Sequence, residues 1–138
     1  MSAQPGADIE AIVRQGMEAF NRGDLQAILA LLDEDVEVYS HPDTGNSGTY
    51  RGHEGYLEWT KVWLDAWEEF RIEVREIEVL DDEQALAITD QFARGRGSGV
   101  PVELRGATYV FTVREGRATR MGLYLDRATA LADLDRAS

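Results

Sequence analysis

The chain has no cysteine among its 138 residues. That absence removes disulfides, thiolate metal sites and a cysteine nucleophile together, and it suits a reducing cytoplasm. Basic residues are also few. Lys and Arg number 14 against 26 Asp and Glu, for a net charge of −12. Such a chain repels phosphate backbones and anionic lipid. The candidate basic patch, Arg94-Gly95-Arg96, is too short to outweigh the rest, so no nucleic acid and no membrane surface is expected as a partner. The longest apolar run, Ala27 to Leu32, falls far short of the roughly 20 residues of a spanning helix. The N-terminus has no secretory signal pattern. With two histidines and scattered carboxylates, no metal-ligand spacing is visible and no cofactor is expected.

What is present is enough for one domain, residues 1–138. A chain of this size buries roughly 70% of the surface its unfolded form exposes, and 43% of its residues are hydrophobic. Met1 to Ala7 reads as a loose tail. Ile9, Ile12, Val13, Met17 and Phe20 share one face of a first helix starting near Asp8. Asn21-Arg22-Gly23 stops it, with Gly23 suited to the left-handed position after a helix. Asp24 caps a second helix whose apolar face is Leu25, Ile28, Leu29 and Leu32. Val36 to Ser40 alternates as a strand. His41 to Gly52 reads as a long loop, and a third helix is predicted from His53 to Trp67.

The second half reads as a meander of antiparallel strands. Phe70 to Leu80 has a fault in its rhythm: Phe70, Ile72 and Val74 fall on even positions, Ile77 and Val79 on odd ones. One extra residue near Arg75-Glu76 restores the phase, which predicts a β-bulge and a bent sheet. Asp81-Asp82 makes a turn. Gln84 to Arg94 is the next strand, ended by Gly95, Gly97 and Gly99. Val102 to Arg114 and Arg117 to Asp126 form a hairpin about Glu115-Gly116. Arg127 to Leu134 is a terminal helix. Helices segregated from an antiparallel sheet define the α+β class.

Several residues carry possible chemistry. Tyr56, Trp59, Trp63 and Trp67 recur at steps of three and four, so all four rings stand on one helix face. They form either plain core or a flat apolar wall with N–H and O–H tips for an aromatic ligand. Asp90 alternates onto the strand face of Leu86, Ile88 and Phe92. A carboxylate among apolar groups has its pKa raised and can act as a general acid or base. Alternatively Asp90 pairs with an arginine such as Arg105, or faces a dimer interface. Glu103, Arg105 and Tyr109 share a strand face, at the pocket or as exposed charge pairs. His41 follows the first strand and is either a proton shuttle or a solvated loop residue. His53 is expected in solvent at the start of the third helix. Asp126 reads as the cap of the terminal helix.

The chain resembles the SnoaL-like branch of the nuclear transport factor two superfamily, which also includes ketosteroid isomerase and scytalone dehydratase. The resemblance rests on Ala19-Phe20-Asn21-Arg22-Gly23-Asp24, Leu31-Leu32-Asp33-Glu34-Asp35-Val36 and Tyr50-Arg51-Gly52. It continues in Arg114-Glu115-Gly116-Arg117 and Leu123-Tyr124-Leu125-Asp126. It covers nearly the whole chain. It implies a cone-shaped roll, a curved antiparallel sheet wrapped on about three N-terminal helices around a pocket. It implies a homodimer paired through the outer sheet face.

The same resemblance allows the site to be tested position by position. The isomerase base falls near Ser40, its helix-one tyrosine at Gly16 and its protonated acid at or beside Tyr109. None is retained, although Tyr109 keeps a hydrogen-bond donor there. The Asp-Arg-Asp set of limonene epoxide hydrolases is not matched. The two histidines do not sit where scytalone dehydratase needs them. Positions matching Ile88, Asp90 and Phe92 line the isomerase pocket. Two functions follow. One is cofactor-free isomerase, cyclase or dehydratase chemistry on a small apolar carbonyl compound, with Asp90 as acid/base, Tyr109 or His41 assisting, and Phe20 among the pocket residues. The other is a non-catalytic ligand-binding or accessory dimer. A third, an association domain with a collapsed pocket, turns on whether the cavity is open. The direction in which Asp90 points separates the first two.

Overall fold

A computed structural model describes residues 5–44 and 47–137. The element order is α1 (Pro5–Arg22), α2 (Leu25–Leu31), β1 (Leu32–Ser40), β2 (Gly48–Arg51), α3 (Gly52–Ala66), β3 (Trp67–Val79), β4 (Gln84–Gly95), β5 (Pro101–Arg114), β6 (Arg117–Tyr124) and α4 (Arg127–Ala137). The protein is α+β, with one six-stranded sheet in the order β2-β1-β6-β5-β4-β3. Among the described residues, no helix is long and apolar enough to cross a membrane.

The local signals in the sequence explain where elements begin and end. Gly23 takes φ 74°, which an L side chain resists, and Asp24 N–H donates to the Ala19 carbonyl at 2.9 Å. The Asp24 carboxylate then accepts from Ala27 N–H at 3.1 Å, capping α2. Asp126 does the same for α4, accepting from Thr129 N–H at 2.8 Å. The β5–β6 turn places Glu115 at φ 53° and Gly116 at φ 79°, the paired left-handed conformation of a tight hairpin. The register of β3 on β4 shifts between Val74 and Glu76, so the bulge foreseen at Arg75 is present. Further shifts interrupt β4–β5 at Thr89/Asp90 and β5–β6 at Thr112/Val113. Each adds local twist, and together they curve the sheet around the helices.

Several boundaries differ from the expectation. The first helix starts at Pro5, so residues 5–7 are helical; residues 1–4 of the expected tail lie outside the described residues. β1 starts at Leu32, directly after α2. Within the segment read as loop, Gly48–Arg51 forms β2 on the edge of β1, and residues 45–46 lie outside the described residues. β1 also pairs in parallel with β6, which joins the first and last strands across the chain and which no local pattern announces. Trp67 opens β3 and is not part of α3.

The sheet has two covered faces. Its concave face meets α1, α2 and α3, with Val13, Val38, Trp59, Ala87 and Tyr109 among the buried residues. The convex face is partly covered by α4, where Ala130 packs with Leu86, Val110 and Tyr124, all four fully buried. Burial of one such Leu or Val contributes about 1.5–3 kcal/mol. In β4 this places Ala85, Ala87, Thr89 and Gln91 toward the helices. Leu86, Ile88, Asp90 and Phe92 therefore face outward.

Candidate functional site

An apolar cavity lies between the helices and the concave face. Ile12, Val13, Gly16, Met17 and Phe20 line it from α1, and Ile28 and Leu31 from α2. Tyr56 and Trp59 of α3 close one side; Ile72, Tyr109, Phe111 and Met121 form the sheet wall. The space left is about 50 Å³, against the roughly 150 Å³ that takes up benzene in an apolar core. A ring-sized ligand must therefore displace side chains. Met17 and Met121 are unbranched at Cβ and suited to moving.

Gly16 is the notable gap in the α1 wall. It sits mid-helix, and a Cβ built there meets nothing nearer than Leu31 Cδ1 at 3.9 Å. It thus leaves open the space where the resemblance places a helix-one tyrosine. A tyrosine instead enters from α3.

Tyr56 and Tyr109 bring the hydroxyl groups of the cavity wall. Both are almost wholly buried, 3% and 4% exposed. Burial pushes the Tyr56 phenol up to about 12, partly offset by the Thr60 hydroxyl. Burial raises Tyr109 further; Gln91 opposes that rise, and the neighbouring Tyr56 reinforces it. Gln91 Nε2 donates to the Tyr109 oxygen at 3.0 Å, and the Tyr109 ring stacks on Phe111 with centroids 5.9 Å apart. Two neutral O–H groups therefore stand among apolar side chains. Among the described residues, no side chain lining the cavity is charged and none is a histidine.

The aromatic stripe divides. Tyr56 and Trp59 reach the cavity, with their rings 6.0 Å apart. Trp63 continues the row at 6.4 Å from Trp59 and 6.1 Å from Phe70, and Phe70 contacts Phe20 edge-on at 5.6 Å. Trp67 lies outside the cavity lining, as the opening residue of β3. The indole N–H groups of Trp63 and Trp67 are buried without a hydrogen-bond partner among the described residues.

Asp90 does not enter the cavity. It lies on the convex face, where the Arg75 guanidinium bonds both carboxylate oxygens. Gly106 N–H donates to it at 3.2 Å and Arg105 approaches at 3.5 Å. Partial burial favours the protonated acid, but the Arg75 bond, the Gly106 N–H and the two arginine charges outweigh it and hold the carboxyl below the usual range. The acid/base role expected of Asp90 is corrected accordingly. Alternation from Glu73, which pairs with Asp90, puts Arg75 on the same convex face, and the extra residue beside it returns Ile77 to the inner face. Ile88 and Phe92 share the convex face and do not line the cavity; Arg71 and Arg105 cover the Phe92 ring at 4.9 and 5.4 Å. Alternation grouped these residues correctly. It said nothing of which face the helices would take, and α4 with the arginine stems gives large apolar side chains shelter on the outside.

His41 is also away from the cavity. Its backbone N–H donates to the Leu123 carbonyl at 3.0 Å, and its ring lies 5.6 Å from Tyr124. His53, expected in solvent, is half-buried and donates from Nε2 to the Leu32 carbonyl at 3.0 Å, tying the start of α3 to the start of β1. Gln91 is the residue that sequence reasoning missed. Its position between Ala-rich and Thr positions of β4 was the available signal, since a buried amide needs partners.

The description "SnoaL-like domain" fits a family model over residues 13–121, most of the chain. The chain belongs to the SnoaL-like family. Solved structures agree on the SnoaL-like fold. An NTF2-like protein of unknown function from Burkholderia pseudomallei is 24% identical, with 96% of this chain and 97% of that one covered and a TM-score of 0.77. TerC, co-crystallised with polyporic acid, is 23% identical over 92% and 96% of the two chains, TM-score 0.75. A protein from Xanthomonas campestris described as a polyketide cyclase is 24% identical over 93% and 97%, TM-score 0.73. At these identities the likeness is one of fold. No curated protein is similar in sequence. In this chain Gly16, Tyr56 and Tyr109 line the cavity, and Gln91 stands behind Tyr109.

Proposed function

We propose that this SnoaL-like protein binds a small, flat, apolar molecule carrying an oxygen atom, and holds that oxygen with the hydroxyls of Tyr56 and Tyr109. The observation that carries the reading is the pair of buried phenols in a cavity otherwise lined by apolar side chains. Gln91 already partners the Tyr109 oxygen and Thr60 lies beside Tyr56; an oxygen acceptor on a ligand gives the phenol protons a partner, which buried polar groups need. The polyporic acid complex of TerC, a protein of the same fold, supports an aromatic oxygenated ligand.

The binding reading is preferred over proton-transfer turnover because Asp90 is locked to Arg75 and Arg105 outside the cavity. The cavity has donors and lacks a side-chain base. Polarising a ligand carbonyl is within its means; abstracting a proton from carbon is not, with the residues that line it. A dimer, where it forms, uses the half of the convex face that α4 leaves uncovered. There Arg71, Arg75 and Arg105 are balanced by Asp90, Glu73 and Glu103. Two copies of a chain with net charge −12 repel least across such a neutral patch.

The test is thermal shift and Trp fluorescence with a panel of polyketide-like quinones and steroids. Trp59 lines the cavity and reports occupancy. Binding that raises the melting temperature, and that weakens in a Tyr56→Phe/Tyr109→Phe double variant, supports the reading. Absence of any shift or quenching across the panel refutes it.

A further inference from the structure

The hydrogen bonds behind Tyr109 have a direction. The Ala107 carbonyl can only accept. Thr89 Oγ1 lies 2.7 Å from it and must donate its proton there. With that proton committed, Thr89 Oγ1 can only accept from Gln91, whose terminal atom lies 3.3 Å away. Gln91 must therefore present its NH₂ group, not its carbonyl, on this side. The second N–H of the same amide donates to the Tyr109 oxygen at 3.0 Å. Tyr109 thus receives a proton from the sheet side, and its own proton is left for the cavity. All three side chains are buried: Thr89 is 0%, Gln91 3% and Tyr109 4% exposed.

We propose that Gln91 is a positioning residue that turns the Tyr109 hydroxyl proton toward the cavity, so that the cavity selects ligands presenting a hydrogen-bond acceptor, such as a ketone or quinone carbonyl, over the matching hydrocarbon. The inference rests on the cavity being a ligand site and adds what that site discriminates. Two physical effects act together. The Gln91 bond orients the phenol oxygen, so that its hydrogen points away from the sheet. It also polarises the O–H, because a hydroxyl that accepts a hydrogen bond donates a stronger one. In a cavity lined mostly by apolar side chains, an acceptor that pairs with this O–H satisfies a buried donor, and a hydrocarbon does not.

The experiment uses matched pairs, 1-indanone with indane and 9-fluorenone with fluorene, titrated calorimetrically into the full chain. Infrared difference spectra of the bound ketones are recorded alongside. In the native protein the ketone is expected to bind about tenfold more tightly than the hydrocarbon, with its carbonyl stretch lowered. Gln91→Met keeps the length and apolar fit but removes both N–H donors. It should narrow the ketone preference about threefold or more and move the carbonyl stretch back up, while hydrocarbon affinity holds. Gln91→Glu supplies a carboxylate that accepts from Tyr109, draws its proton out of the cavity and should abolish the preference. If Gln91→Glu does not fold, Gln91→Met alone carries the test. Equal binding of ketone and hydrocarbon by the native protein overturns the selectivity and leaves the ligand site standing. An unchanged preference and carbonyl stretch in Gln91→Met overturn the role of Gln91. Binding of neither member of either pair overturns the ligand site and this inference with it.

Discussion

Gly16 offers the sharpest perturbation, because it separates stability from binding. It is a glycine in the interior of α1, where the flexible backbone costs about 0.5–1 kcal/mol relative to alanine. It faces the cavity, and an added Cβ meets only Leu31 Cδ1 at an ordinary 3.9 Å. Gly16→Ala is therefore expected to stabilise the unliganded protein by about that amount. For a chain of this length the melting temperature should rise by about 2–4 °C. The same methyl occupies part of a space of only about 50 Å³. A ligand that has already displaced side chains then meets an overpacked wall, at a cost of about 1–3 kcal/mol, equivalent to roughly a five- to 150-fold loss of affinity. Differential scanning fluorimetry measures the first effect and isothermal titration with an aromatic ketone the second. A fall in melting temperature would mean that Gly16 serves close packing. Unchanged affinity would mean that ligands do not enter between α1 and the sheet. Either result refutes the reasoning.

Other perturbations probe the remaining parts. Because the carboxyl of Asp90 is held below its usual pKa, its contribution is present above the unfolded value of about 3.9 and is lost as pH falls through the lower folded value. Urea unfolding between pH 5 and pH 2 should therefore show a shallower acid loss in Asp90→Asn than in the native chain, with ligand affinity unaltered. At the alkaline end Tyr56 keeps its proton to about 12 while an unfolded tyrosine loses it near 10. Stability should consequently fall between pH 10 and 12, by roughly 3 kcal/mol from this group. Tyr56→Phe should remove that part of the loss. Gly55→Ala would place its Cβ 2.9 Å from the Tyr50 carbonyl carbon, and the forced separation of α3 from β2 should lower stability by about 1–3 kcal/mol, read from chemical denaturation. His53→Ala should cost about 1 kcal/mol through the lost bond to Leu32,.

Much of the fold is legible in the sequence because its signals are local. Asp24 and Asp126 mark helix starts, since a short carboxylate beside free N–H groups has one good use. Gly23 and Glu115-Gly116 mark reversals, where left-handed backbone is required. The phase slip between Val74 and Ile77 announces the bulge, because side chains alternate strictly along a strand. The stripe through Tyr56, Trp59 and Trp63 announces a helix face. Each of these depends on residues within a turn or two of one another, so the chain alone determines it.

The tertiary structure decides what period and propensity leave open. Alternation shows that Leu86, Ile88, Asp90 and Phe92 share a face of β4; both faces of this sheet carry buried apolar side chains, so hydrophobicity does not say which meets the cavity. That choice follows from where α1, α3 and α4 dock, and it sends Asp90 outward to Arg75 and Gln91 inward to Tyr109. The parallel pairing of β1 with β6 and the return of Gly48–Arg51 onto β1 are likewise long-range hydrogen bonding. The site is built from α1, α3, β4 and β5 together, and its polarity comes from hydrogen bonds in which Gln91 donates to Tyr109 and to Thr89, and Thr89 to the Ala107 carbonyl, an arrangement that exists only once those strands are aligned.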